Sequence, residues 1–198
     1  MKKTLLSLPI AAAVAMAAIP ESALAGDATL DATLTATIVD TTCDMKLSGG
    51  IGGDATEQTI NIIVPGRDNT YVPITDAQAG KAASTFKIKI VECPPSMTSL
   101  KTTIKGTASD TSNTALANQI AETDGGAKGA ALEIARSIAT TAPFVINSTV
   151  DDERLVWTED EIKKAKEVSL TATLRETKAG EMTIGHFKTV VTFEFSYE

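Results

Sequence analysis

The stretch that decides the fold closes the sequence: His186-Phe187-Lys188-Thr189-Val190-Val191-Thr192-Phe193-Glu194-Phe195-Ser196-Tyr197-Glu198. Phe187, Thr189, Val191, Phe193, Phe195 and Tyr197 form one row, with Lys188, Thr192, Glu194 and Ser196 standing between them. A repeat of two is the signature of a β-strand with one buried face. Three aromatics, Phe193, Phe195 and Tyr197, fall within the last six residues, where chain ends are ordinarily polar and frayed. Such a strand needs a covered edge, and no later strand follows to supply the cover. The expected cover is therefore the N-terminal segment or another polypeptide.

The N-terminal segment has the matching pattern. Leu30, Ala32, Leu34, Ala36 and Ile38 recur at every second position, separated by Asp31, Thr33, Thr35 and Thr37. The β-branched threonines and the strict alternation argue against a helix. Ahead of this arm, Lys2 and Lys3 precede an apolar run and the small-residue stretch Ala23-Leu24-Ala25, the layout of a cleavable secretory signal over residues 1–25. The run is too short for a convincing membrane anchor, and no other segment approaches the roughly 20 apolar residues that a span requires.

Removal of residues 1–25 leaves 173 residues, enough for one domain with a proper core. It also leaves sixteen basic and twenty-four acidic residues, a net charge of −8. That balance repels nucleic acid phosphates and anionic lipid surfaces. Cys43 and Cys93 are the only cysteines, and an even count in an exported chain predicts one disulfide.

Further strands are expected over residues 59–64, 85–91, 129–136, 144–148 and 168–175. The glycine-rich residues 48–54 read as a turn, and the Thr/Ser/Asp-rich residues 106–118 as a loop. Thr158 followed three positions later by Glu161, with Lys163, Lys164 and Lys166 beyond, predicts a capping box opening a helix of two turns or fewer.

Four features in order resemble the pilin subunits of chaperone-usher fimbriae, of the type 1 pilus-like kind. They are the alternating arm ahead of Cys43, the strand Phe86-x-Ile88-x-Ile90-x-x-Cys93, Gly185 fourteenth from the end, and the penultimate Tyr197 after alternating apolar residues. The resemblance implies an all-β fold, an incomplete immunoglobulin-like β-sandwich lacking its last strand. Residues 26–40 would be a donor-strand extension and residues 41–198 the pilin domain. It also implies that Leu30, Ala32, Leu34, Ala36 and Ile38 are donor positions. The acceptor groove, which is also the chaperone and subunit interface, would be built on Gly185, Phe187, Val191, Phe193, Phe195 and Tyr197. Many relatives carry glycine where Ala36 stands. The implied partners are neighbouring pilin subunits in a head-to-tail polymer, a periplasmic pilus chaperone and an outer-membrane usher. The implied route runs through the periplasm to the cell surface, where the fibre supports adhesion. In this family the arm does not readily fill its own groove.

Other readings of the same residues are weaker. The lone His186 has no visible partners for acid-base or metal work, and the glycines at 49–53 lack the lysine-serine pair of a phosphate loop. Asn147-Ser148-Thr149 fits a glycosylation sequon that arises often by chance. Asp151-Asp152-Glu153 lacks calcium-loop spacing and reads as a solvated turn. No catalytic residue, metal site, small-molecule cofactor or nucleic acid partner is expected. A secreted monomeric β-sandwich that binds carbohydrate is the alternative to a self-assembling structural subunit.

Overall fold

The computed structural model describes residues 29–39, 43–67 and 71–197; the secretory signal expected over residues 1–25 lies outside them. Two six-stranded sheets face each other. The first contains β1 (Thr29–Val39), β3 (Glu57–Asn61), β4 (Val72–Pro73), β6 (Leu100–Gly106), β10 (Leu155–Val156) and β12 (Gly185–Tyr197). Its order is β10-β6-β12-β1-β3, with β4 also paired to β1. The second runs β2-β5-β11-β9-β8-β7, built from β2 (Asp44–Ser48), β5 (Ala83–Glu92), β7 (Ala108–Ser109), β8 (Ser112–Ala117), β9 (Ala130–Arg136) and β11 (Glu167–Glu176). A short helix, α1 (Ile74–Gln78), leads from the first sheet toward the second.

Alternation sets each strand's faces. In β5, Phe86, Ile88 and Ile90 point inward, while Lys87 and Lys89 reach Glu167 and Asp54 at 2.6 and 3.0 Å outside. In β11, Val168, Leu170, Ala172 and Leu174 line the core. Phe86 of one sheet meets Phe193 of the other with ring centroids 5.8 Å apart, a tilted aromatic contact across the middle of the sandwich. Cys43 and Cys93 are joined in a disulfide between the start of β2 and the end of β5, as the sequence predicts.

Two segments differ from expectation. Residues 106–118 are not a loop: they form the β7–β8 hairpin, anchored by Ala115 and the fully buried Leu116. Two buried apolar residues among threonines and serines are too few to register as periodicity. Residues 144–148 are not a strand. Their N–H groups donate to three different strands, Phe144 to Ile134 O, Ile146 to Asn113 O and Asn147 to Ile104 O. The segment thus crosses from the second sheet to the first, burying Phe144 and Ile146 on the way.

The capping box is present: Glu161 N–H donates to Thr158 Oγ1, and Thr158 N–H to Glu161 Oε2. The turn it opens is a single π-helical one over Glu161–Ala165, closed by Lys166 in the left-handed region. The glycine turn is held from below by Gln58, whose Oε1 accepts the Gly50 N–H at 2.9 Å and whose Nε2 donates to Gly53 O. Asn147 of the sequon has its amide engaged with both the N–H and the carbonyl of Gly106. Asp151 is paired with Arg154 and Lys101.

Candidate assembly site

The body of the sandwich leaves a strand-wide space between β12 and β3, and β1 occupies it. Along one edge β1 runs parallel to β12, from Leu30 opposite Gly185 to Val39 opposite Glu194. Along the other it is antiparallel to β3, from Thr33 opposite Asn61 to Thr37 opposite Glu57, with Thr29 and Leu30 continuing onto β4. Bonds beyond the ladders extend the seam: Ile62 N–H donates to Ala32 O at 3.0 Å and Ile38 N–H to Thr56 O at 2.9 Å.

This placement corrects one expectation. The arm does fill the groove of its own chain. Parallel pairing is the arrangement that does this: the arm runs alongside β12 from Leu30 opposite Gly185 to Val39 opposite Glu194, and the second sheet's first strand begins at Asp44.

All five predicted donor positions face the core. Leu30, Ala32, Leu34 and Ala36 are essentially inaccessible, and Ile38 packs partly buried against the same cluster. Fully burying the larger ones contributes about 1.5–3 kcal/mol each. Of the predicted acceptor residues, Phe187, Val191, Phe193 and Phe195 are buried in the core and Tyr197 packs against it. The row also contains Thr189, fully buried opposite Leu34, with no hydrogen-bond partner for its hydroxyl among the described residues.

Gly185 starts β12 for a steric reason. A Cβ there would stand 2.5 Å from Ala127 N and 2.8 Å from Gly125 O. That close approach lets His186 N–H donate to Gly125 O, and Ala127 N–H to His186 O, both at 2.9 Å. The start of β12 is thereby held on the side away from β1. His186 itself is exposed, and its Nδ1 lies 3.7 Å from Asp31 Oδ2 on the arm, a strand-edge position. The Asp31 contact, and the lack of a partner for the Thr189 hydroxyl among the described residues, are features that alternation does not reveal, because it identifies a face and not what stands across it.

The family model described as Fimbrial protein matches residues 66–198. The chain belongs to this fimbrial family. The matched part begins after β3 and includes β12, while the arm lies ahead of it. A curated relative, the uncharacterized fimbrial-like protein YadM of Escherichia coli strain K12, is 27% identical over 160 residues, covering 80% of this fimbrial subunit and 81% of the relative. Among solved structures, that of the P pilus rod subunit PapA has a similar fold, with a TM-score of 0.50 at 17% identity over 82% of this chain and 96% of that one. The fimbrial subunit is thus a structural protein of the pilus class with a two-sheet sandwich and one disulfide. Among the described residues, no helix is long and apolar enough to cross a membrane.

Proposed function

We propose that this fimbrial subunit polymerises by donor-strand exchange, its arm leaving the home groove to fill that of a neighbouring copy in a fibre that supports cell adhesion. One observation carries this reading. β1 lies inside its sheet, between two strands that do not pair with each other, yet in sequence it stands ahead of every other described element of the body. An element that completes a core from one end of the body's sequence can be traded between identical chains with the same contacts made at both places. During export a periplasmic chaperone lends a strand to the groove, and an outer-membrane usher presides over its replacement by the next subunit's arm. Leu30, Ala32, Leu34, Ala36 and Ile38 are the donated side chains; Gly185, Phe187, Val191, Phe193, Phe195 and Tyr197 belong to the receiving strand.

The test compares the mature chain with one in which residues 26–38 are deleted from the front and a copy is attached after Glu198. At high concentration the first should form head-to-tail polymers, while the second should stay a stable monomer with nothing left to donate. Equal, purely monomeric behaviour of both would favour a self-contained sandwich, the monomeric carbohydrate binder included. A chain with Leu34→Asp should fail to donate yet still accept an arm from an unaltered chain. Normal fibres from Leu34→Asp alone would show that this residue does not enter the groove.

A further inference from the structure

The bridge between Cys43 and Cys93 presents its two sulfurs to solvent unequally. In the sequence they look alike, because each cysteine has one carboxylate neighbour, Asp44 after Cys43 and Glu92 before Cys93. The fold separates them. Cys43 is 3% accessible and belongs to the core, whereas Cys93 is only partly buried against it. Cys93 lines a surface pocket together with Asp44, Glu92, Pro94 and Pro95, and Cys43 takes no part in that lining.

A methionine covers the other sulfur. After Cys93 the chain turns back through Pro94 to Met97, whose N–H donates to Pro94 O at 3.1 Å. Pro95 stands at the second position of this turn, where its fixed φ favours the bend. Met97 is thereby returned to the interior, and its sulfur lies 3.4 Å from Cys43 Sγ. A bulky thioether in contact with Cys43 fills the space that an incoming reagent would need. The two prolines thus do more than end β5: they bury one sulfur of the bridge and leave the other at a pocket.

A thiolate opens a disulfide by attacking one sulfur and displacing the other, and access decides which is attacked. We infer that Cys93 is the thiol-exchange site of this subunit. A thiolate enters the pocket and attacks Cys93 Sγ. A new S–S bond forms between the incoming sulfur and Cys93, and the Cys43–Cys93 bond breaks. Cys43 Sγ leaves with the electron pair and takes a proton from water. The product is a mixed disulfide at Cys93 and a thiol at Cys43 held beneath Met97. The pocket also selects its thiol by charge. Asp44 and Glu92 are exposed and stand opposite each other across β2 and β5, while Lys87 and Lys89 of β5 are engaged with Glu167 and Asp54. Two carboxylates at the mouth draw in a thiol that carries an amine and repel one that carries an acid.

Trapping the adduct tests this. The mature chain with its bridge intact is exposed briefly to 2-aminoethanethiol, 2-mercaptoethanol or 2-mercaptoethanesulfonate. It is then quenched in denaturant with excess N-ethylmaleimide and mapped by peptide mass spectrometry. The thiol should be found on Cys93 and the maleimide on Cys43 several-fold more often than the reverse, and the bias should vanish when the same reaction is run on the unfolded chain. Equal adducts on both cysteines of the folded chain, or an excess on Cys43, would overturn the assignment. Each rate is divided by that thiol's rate on a small neutral disulfide, which removes intrinsic reactivity. The amine should then outpace the sulfonate by roughly tenfold at low ionic strength, with the gap narrowing as salt is added. Asp44→Asn with Glu92→Gln should flatten this order while the adduct stays on Cys93; an unchanged order would remove the carboxylates from the site. Met97→Ala should raise the share of adduct on Cys43, and Met97→Leu, which keeps the bulk, should not. Identical shares in the native chain and both variants would show that Met97 shields nothing.

Discussion

At the scale of single residues, the receiving strand carries two buried hydroxyls without a hydrogen-bond partner among the described residues, on Thr189 and Tyr197, and one steric requirement. Thr189 is sealed between Phe187 and Val191, its hydroxyl without a partner among the described residues, and an unsatisfied buried polar group costs about 1–3 kcal/mol. Thr189→Val keeps the shape and removes that group, so it should raise the unfolding free energy by roughly 1–2 kcal/mol, read from the urea midpoint at unchanged m-value. Gly185 is the opposite case. Its missing side chain admits the Gly125 to Ala127 backbone, and Gly185→Ala should destabilise the monomer by about 1–3 kcal/mol through forced displacement of that backbone. Amide exchange of His186 and Ala127 should speed up in the same variant. Neither position stands out from alternation alone: threonine fits a strand, and a glycine before one looks like a turn.

At the scale of elements, the π-helical turn has its own acid dependence. Burial by itself pushes the Glu161 carboxyl up, but the Arg136 guanidinium and the Thr158 N–H and hydroxyl outweigh it and hold the group below its ordinary 4.5. A carboxyl depressed in the folded state stabilises above its unfolded value and loses that contribution as pH falls through the folded one. The stability gap between the native chain and Glu161→Gln should therefore be full near neutrality and close as pH drops below the ordinary carboxylate value. A gap independent of pH would show that Glu161 acts through packing alone. For β1, Leu34→Ala should cost about 2–5 kcal/mol, measured by denaturant unfolding. Strands β1, β5, β11 and β12 were legible because each alternates over many residues. The hairpin over residues 106–118 was not, since its two buried residues are neighbours in sequence. The home position of β1 was not legible either. Alternation identifies the face a strand buries, but pairing between the two ends of a chain is non-local, and the pattern reads the same for either direction and either donor.

At the scale of the whole molecule, the disulfide fastens the point where the arm's link enters the body. Exchanging both Cys43 and Cys93 for serine should lower stability by about 2–4 kcal/mol, seen as a fall in melting temperature. The acidic composition, with net charge −7 for the full chain, keeps separate copies apart in dilute solution until a specific contact outweighs repulsion, so polymer formation should quicken with added salt. The eleven residues of β1 are gripped along both edges, by β12 on one side and by β3 and β4 on the other. If a strand so held joins one subunit to the next, a pull along the fibre runs down the strand's length. The rungs on both flanks then resist together in shear instead of parting one after another like a zip, and the joint yields late and abruptly under tension.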